Sequence, residues 1–450
     1  MQTKKDRVHA YQTLVGRMGA ALLLGDTNYG EVPARRALFG LIFGVVFALF
    51  IGVAVWVYGL INPGGNVAWK QPGVVIVEKE SGARFVYRDG VLVPVRNQAS
   101  AMLLQGAGAK VKSVSRSSLK DVERARGIGI ENAPDPLPAA NALVTTPWLL
   151  CLPATGGVVV PGSGLMSMNA NPDASSTRLS ESEYFWVASP RGEQYVVLQG
   201  VKLHLDGPAV AVALGLGTAK PPTAPDAWLA ALPDGPSVAP AVIPGNGTAS
   251  VGGTSYPIGT VFQQGSNFVV LRRDGLAAVS RTEASLLQVA HGRGAVAIDA
   301  AALAAAPRSA DDSLTKRLPD LLSMRSTPTG QRAFCLRQEP QGAAVISQAV
   351  TTERRFAWFG MSAEIGPYLK QGTGLLAASV PAPTAKGAKP DRYLITDQGL
   401  KFRLYDDAAI SALGYGGVVP QPVAASVLAA MPEGPVLSRA AVGVFEKGQG

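Results

Sequence analysis

Hydrophobic and polar positions follow three different rhythms along the chain. In the first, Val8, Tyr11, Leu14, Val15, Met18 and Leu22 recur at three- and four-residue steps. That spacing predicts an amphipathic helix within a polar N-terminal segment, 1–36. It suits a helix lying on a membrane face and equally a helix that docks a cytoplasmic partner. In the second, Ala37–Ile61 runs ALFGLIFGVVFALFIGVAVWVYGLI, 25 residues without a charge. A helix of this length covers about 38 Å at 1.5 Å per residue, against a hydrocarbon core of about 30 Å. The third rhythm fills the rest: short alternating strands closed by glycine turns and followed by Ala/Leu-rich helical stretches.

The second segment sets the class of the molecule. A secretory leader has a shorter apolar region and a small-residue cleavage site. This one ends instead on Trp56 and Tyr58, which suit a membrane interface, then Asn62-Pro63-Gly64-Gly65, which stops the helix. A retained transmembrane helix over 37–61 is therefore expected. Gly40 and Gly44 within it form a GxxxG spacing that lets another helix approach closely. Lys4, Lys5, Arg7, Arg17, Arg35 and Arg36 precede the span, and the nearest basic residue after it is Lys70. The positive-inside rule then places the N-terminus in the cytoplasm and the remainder outside.

The outer part repeats. Gln199–Gly217 (QGVKLHLDGPAVAVALGLG) aligns without a gap on Gln398–Gly416 (QGLKFRLYDDAAISALGYG), and Pro233-Asp234-Gly235-Pro236 aligns on Pro432-Glu433-Gly434-Pro435 at the same offset. A second pair begins at Arg88-Asp89-Gly90 and Arg273-Asp274-Gly275. Four small copies are expected at 73–120, 184–245, 250–300 and 391–443, each too small to bury a good core alone. Between them, 121–183 and 301–390 lie outside the repeat and carry Cys151 and Cys335. In an oxidising compartment two lone cysteines are expected to pair; the other reading is two buried thiols. Pairing would join the two stretches into one central domain. A short tail, 444–450, ends the chain. The fold class is thus α+β and strand-rich, with one N-terminal transmembrane helix and an extracytoplasmic repeat array.

Composition narrows the chemistry. Charged residues are only 16%, and 51 glycines with 33 prolines call for many turns. A net charge of +9 comes without a basic run or interleaved aromatics, so nucleic acid is not an expected partner. Two cysteines and three histidines offer little to a metal site, and neither metal nor cofactor is expected. His204 and His291 stand alone. Gly162-Ser163-Gly164 lacks the strand–GxSxG–helix context of a nucleophile elbow. Asp311-Asp312 and Asp406-Asp407 read as exposed turns. A phosphate-binding loop needs GxxxxGK[ST]; the sequence has no Gly-Lys dipeptide, and Gly106-Ala107-Gly108-Ala109-Lys110 is its nearest imitation. No catalytic residue is assigned.

Ordered blocks along the chain carry a resemblance. These are Tyr11…Leu14…Arg17-Met18…Ala21-Leu22…Asp26 before the span; Pro72-Gly73-Val74-Val75-Ile76-Val77; Ser81-Gly82-Ala83; Pro94-Val95-Arg96-Asn97-Gln98-Ala99-Ser100-Ala101; and Ile128-Gly129-Ile130…Ala133-Pro134-Asp135 before Trp148 and Cys151. In these the chain resembles the EccB family of type VII (ESX) secretion systems, departing from it at Gln98 and in its short tail. The resemblance implies small repeat domains around a disulfide-linked centre and a structural role. It also implies assembly with a polytopic membrane subunit, an FtsK/SpoIIIE-like ATPase and a further membrane subunit, and allows a homodimer or higher oligomer. Two alternatives are an ATP-hydrolysing subunit, as some family members are labelled, and a cell-wall-binding repeat module.

Overall fold

In the computed structural model, residues 4–25, 34–61, 67–152, 166–171, 174–217, 220–328, 332–357 and 365–443 are described. The chain divides into two compact units. One holds Met1–Trp69 with Val114–Asp121, the other Lys70–Ser113 with Val122–Gly450.

The first unit is helical. Lys4–Leu24 forms one helix, and the stripe read from the sequence lies exposed on it, Tyr11 at 72% and Leu22 at 84%. Ala34–Ile61 forms a second, of 28 residues. Its stretch Ala37–Gly59 is long and apolar enough to cross a membrane, and none of its most apolar window is buried. Trp56 and Tyr58 are exposed near its end. A methyl group added at Gly40 or Gly44 would touch nothing within 4 Å, so this face of the helix is open.

The second unit contains four four-stranded sheets of one plan. The first consists of Val74–Glu78, Arg84–Arg88, Val91–Val95 and Lys110–Val114; the second of Glu183–Ala188, Gln194–Leu198, Val201–Leu205 and Arg325–Ser326. The third has Val261–Gln264, Asn267–Arg272, Gly275–Val279 and Val296–Ala297; the fourth Gly374–Val380, Arg392–Thr396, Lys401–Leu404 and Gln421–Ala424. In each, three strands form an antiparallel meander and the fourth joins at the free side of the first.

Local chemistry explains the plan. The hairpin turns at Asp89-Gly90 (φ 52° and 88°) and Gln199-Gly200 (47° and 81°) hold both residues in the left-handed region, whose twist matches the flanking strands. A helix follows the third strand: Gln98–Gln105, Pro208–Ala213, Arg281–His291 and Asp407–Ala412. Three of these are capped by a side chain. Asn97 accepts from the Ser100 N–H, Ser280 from Glu283 and Asp406 from Ala409. The helix after Gly207 instead begins on Pro208, whose missing N–H is not needed there. A later extended stretch then runs parallel to the third strand. It bridges Leu92 to Arg124 and Val95 to Ile128 in the first sheet, Lys202 to Asp234 and Leu205 to Val238 in the second, and Lys401 to Glu433 and Leu404 to Leu437 in the fourth.

Two strands come from an unexpected place. The fourth sheet opens at Gly374–Val380 and the second sheet borrows Arg325–Ser326, both inside the 301–390 stretch read as central. Gly374–Val380 shares no turn residues with its counterparts and is separated from the next strand by Pro381–Asp391, so the recurring signature begins one strand late.

A six-stranded sheet remains, ordered Ile365–Tyr368, Met166–Asn169, Trp148–Cys151, Arg332–Gln341, Ala344–Glu353 and Ser176–Arg178. It draws on both non-repeat stretches. Phe185 and Phe334 stack with centroids 4.0 Å apart at its surface, and Trp148 and Trp228 are fully buried in the same cluster. The Trp228 indole donates to the Leu150 carbonyl at 3.0 Å, so its polar end is satisfied as well as its apolar one. Helices Asp226–Ala230 and Ala425–Ala429, equivalent at the 199-residue offset, both bury against this cluster.

The four sheets also pair by their helices. Ala99 and Leu103 share a core with Phe402, Leu404, Ile410 and Tyr415, joining the first sheet to the fourth. Leu286 packs with Val210 and Leu214, and Ser285 Oγ donates to the Ala213 carbonyl at 2.8 Å, joining the second to the third.

Candidate functional site

The titratable side chains singled out from the sequence sit on different elements, and the acids among them are engaged in local structural contacts. His204 sits edge-on to Tyr195, with centroids 5.3 Å apart. His291 closes the helix Arg281–His291 and is exposed. Asp311 accepts from the Ser313 N–H and pairs with Arg272 at 2.7 Å; these bonds, the Ser313 one foremost, hold its carboxyl below the usual range. Asp312 pairs with Lys316. Asp406 is a helix cap, and Asp407 binds Lys389 and Arg392, which lower its pKa in that order. Gly106 ends one helix and Lys110 begins a strand, so the phosphate-loop imitation is a helix-to-strand turn. Gly162-Ser163-Gly164 lies outside the described residues. Among the described residues no group of three or more His, Cys, Asp or Glu could hold a metal ion.

What the fold builds with care is a set of fastenings. Cys151 and Cys335 stand directly opposite each other on adjacent antiparallel strands of the six-stranded sheet and are joined by a disulfide. Both are fully buried, among Leu149, Ala333, Val350 and Ala357. The bond therefore ties the two stretches from which the sheet is drawn, 184 positions apart.

Two lysines do related work. Lys401 is 4% exposed; its Nζ donates to the Leu428 carbonyl at 2.6 Å and pairs with Glu433 at 3.2 Å. Lys202, its counterpart at the 199-residue offset, donates to the Leu232 carbonyl at 2.7 Å and pairs with Asp234 at 2.9 Å. Each pins the end of a short helix and the Pro-acid-Gly-Pro turn to the third strand. The turn is tight: a Cβ at Gly235 would meet the Leu203 side chain at 2.4 Å, and one at Gly434 the Phe402 ring at 2.2 Å. A Cβ at Gly200, already at positive φ, would strike the Ser347 carbonyl at 2.3 Å, which is where the second sheet abuts the central one.

A further clamp centres on Glu283, which is fully buried. One carboxylate oxygen accepts from the Ala241 N–H at 3.0 Å, and the other accepts from Arg317 Nε at 3.0 Å and Nη2 at 2.6 Å. Arg317 also donates to the Ala239 carbonyl. The segment leaving the second sheet, the helix of the third and the segment after it thus meet on one ion pair. Lys202, Lys401 and Glu283 were not singled out from the sequence. The signals were present: a lysine recurring inside an apolar strand at the repeat offset, and Ser280-x-x-Glu283 opening a helix.

The comparisons with known proteins agree with this architecture from end to end. The family described as type VII secretion system ESX-1, transport TM domain B (EccB) matches residues 1–448. The chain belongs to the EccB family. The ESX-1 secretion system ATPase EccB1 of Mycobacterium tuberculosis is 25% identical over 458 residues, spanning 97% of this chain and 93% of the relative. The ESX-5 secretion system ATPase EccB5 of Mycobacterium marinum is 25% identical over 478 residues, 97% and 92% of the two chains. Among solved structures, a chain of an intact ESX-5 inner membrane complex matches with a TM-score of 0.58 at 23% identity, covering 99% of this chain and 96% of that one. The EccB3 dimer from the ESX-3 core complex matches with a TM-score of 0.57 at 23% identity, covering 82% and 100%. These likenesses establish the fold of this EccB-family chain.

Proposed function

We propose that this chain is a membrane-anchored structural component of a type VII protein secretion complex. In this reading Ala37–Gly59 crosses the cytoplasmic membrane with the N-terminus in the cytoplasm, and the sheets stand outside as four copies of one repeat around a disulfide-closed centre. The observation that carries it is the pairing of a wholly unburied apolar helix with an outer body whose singled-out acids and buried lysines are engaged in caps, ion pairs and clamps. Such a body suits a part that transmits and resists force. Energy would come from an FtsK/SpoIIIE-like ATPase below the membrane, and a polytopic subunit would share the bilayer. Relatives of this chain occur in ESX inner membrane complexes and as a dimer, which supports both the assembly and a homo-oligomeric contact. The exposed stripe on Lys4–Leu24 suits a docking helix, and the open Gly40 and Gly44 face suits a helix neighbour in the bilayer.

Gentle detergent extraction of a tagged full-length chain tests the reading. The secretion subunits are expected to come out with it, and deletion of residues 1–30 is expected to release them while the disulfide-closed body stays folded. Protease added to wall-stripped cells is expected to digest the large domain and spare the tail; protection of the large domain would refute the orientation. The word ATPase in the relatives' names gives the contrary outcome. ATP hydrolysis by the purified chain, free of the partner ATPase and abolished by one substitution in it, would replace the scaffold with an enzyme.

A further inference from the structure

In three of the four sheets the outer edge of the third strand is covered by the chain's own later stretch, and the covering bonds recur at the same places. In the second sheet the Val238 N–H donates to the His204 carbonyl, and the Asp206 N–H to the Val238 carbonyl. In the fourth, Leu437 donates to Arg403 and Tyr405 to Leu437; in the first, Ile128 donates to Pro94 and Arg96 to Ile128. One aliphatic residue thus satisfies a carbonyl and an N–H two positions apart.

The third sheet breaks this pattern. Its cover begins like the others: the Leu276 N–H donates to the Pro307 carbonyl, and the Ser309 N–H to the Leu276 carbonyl. Among the described residues Leu276↔Arg308 is then its single bridge, where each of the other sheets has two. Asp312 stands where Ile128, Val238 and Leu437 stand elsewhere; it is exposed, pairs with Lys316, and turns the chain into the helix Ser313–Lys316. The Ala278 carbonyl and the Ser280 N–H point outward as those of Leu276 do, two and four positions on. Neither has a partner among the described residues. A cavity of about 590 Å³ opens beside them, with Phe268, Val279 and Leu322 as its apolar wall and Ser280, Arg281 and Asp320 as its polar one. The register Phe268↔Val279 puts the first two on one face of the sheet. Asp320 is taken: its Oδ1 accepts from the Thr282 N–H at 2.9 Å and from the Thr282 hydroxyl at 2.8 Å. Arg281 is exposed and has no ion pair or hydrogen-bond partner among the described residues.

We propose that this open edge receives an extended segment of a partner protein in which an aliphatic residue is followed by Asp or Glu. The aliphatic residue donates its N–H to the Ala278 carbonyl and accepts from the Ser280 N–H, as Val238 and Leu437 do within the chain itself. In that pairing its side chain lies on the Val279 face, where the apolar wall of the cavity is. A parallel segment then runs on towards the helix Arg281–His291, so the acid meets the guanidinium of Arg281. Main-chain pairing supplies the hold, and the cavity and Arg281 supply the selectivity. The inference goes beyond the scaffold reading and does not depend on the span, because edge, cavity and arginine all belong to the third sheet and the segment beside it.

The test uses the full-length chain in detergent and the synthetic peptide acetyl-PVLDS-amide, which carries 435–437 of the fourth sheet with an acid added two residues from its end. Hydrogen exchange resolved to single residues reads the Ser280 amide. At a peptide concentration about four times its Kd, that amide is expected to exchange about fivefold more slowly, with the six-stranded sheet unchanged. N-methylation of the peptide's leucine removes the donor to Ala278 and is expected to abolish the protection. Changing the peptide's Asp to Asn is expected to weaken binding about two- to fivefold to the wild-type chain and not at all to Arg281→Gln. Binding that survives N-methylation, or that leaves Ser280 unprotected, would overturn the strand pairing, as would no binding at millimolar peptide. A Ser280 amide already slow without peptide would overturn it too, showing the edge closed by a second copy if dilution frees it and by the chain itself if not. Equal affinity of the wild-type chain for the Asp and Asn peptides would overturn the acidic preference.

Discussion

Replacing Glu283 by Ala should loosen the junction between the second and third sheets more than any other single side-chain deletion there. The carboxylate is fully buried and accepts three hydrogen bonds. Its loss leaves the Ala241 N–H without an acceptor, about 1–3 kcal/mol for a buried donor. It also strips Arg317 of its counter-ion. Arg317 is 31% exposed and keeps its bond to the Ala239 carbonyl, so water relieves part of that penalty. The total falls near 3 kcal/mol, the low end of the range for breaking a buried pair. That corresponds to about a 150-fold rise in the local opening equilibrium. Native-state hydrogen exchange reads it directly, at residues 239–241 and along Arg281–His291. The double variant Glu283→Leu, Arg317→Leu should recover much of the loss, because removing both charges strands neither. If exchange at Ala241 rises by less than about threefold in Glu283→Ala, or if the double variant is worse than the two singles combined, the clamp is not what fastens the junction.

Replacing Cys151 and Cys335 together by Ala opens a closed loop of 184 positions. Chain entropy sets that at about 5 kcal/mol, and the unfolding transition reported by Trp148 and Trp228 should move to lower denaturant, as it should for the reduced wild-type protein. An unchanged transition would mean the bond closes nothing the sheet does not already close. The Asp407 carboxyl is held below its ordinary value by Lys389 first and Arg392 second. A depressed carboxylate stabilises the fold above its unfolded pKa of about 3.9 and loses that contribution as pH falls through the folded value. The melting difference between wild type and Asp407→Asn should therefore be flat from neutral pH down to about 5 and vanish in stronger acid. A difference that persists at the acid limit would show the side chain acting through something other than its charge.

The parts of this molecule written in local chemistry are legible without a structure. An uncharged stretch such as Ala37–Ile61 admits one conformation in a bilayer. Asp89-Gly90 announces a hairpin because few residue pairs tolerate two positive φ angles, whereas Gln199 adopts one in the fold without such a signature. Two lone cysteines in an oxidising compartment make the pairing of Cys151 with Cys335 the expectation, against two buried thiols, and the disulfide bears it out. Gly374–Val380 is different. Its strand identity depends on the neighbours it pairs with, and GLLAASV contains nothing that distinguishes the edge of a repeat from the middle of a central domain. That 121–183 and 301–390 join is expected from the cysteines, but the strand order of the six-stranded sheet is not legible, because Trp148–Cys151 and Arg332–Gln341 are brought side by side by tertiary packing from distant parts of the chain. Glu283 and Arg317 are invisible as a pair because 34 positions and a change of element separate them.

The way the four sheets and the centre interlock also dictates a timetable. The first sheet shares its core with the fourth, the second with the third, and the central sheet takes strands from before and after that inner pair. Contacts are therefore nested like brackets. At a synthesis rate of about 5–20 residues per second, Cys335 follows Cys151 by about 10–40 s. Through that interval the inner pair can complete itself while Trp148–Cys151 waits for its neighbouring strand and the helix Gln98–Gln105 for a partner not yet made. The body closes from the inside outward, and the fourth sheet, made late, covers the first sheet, made early.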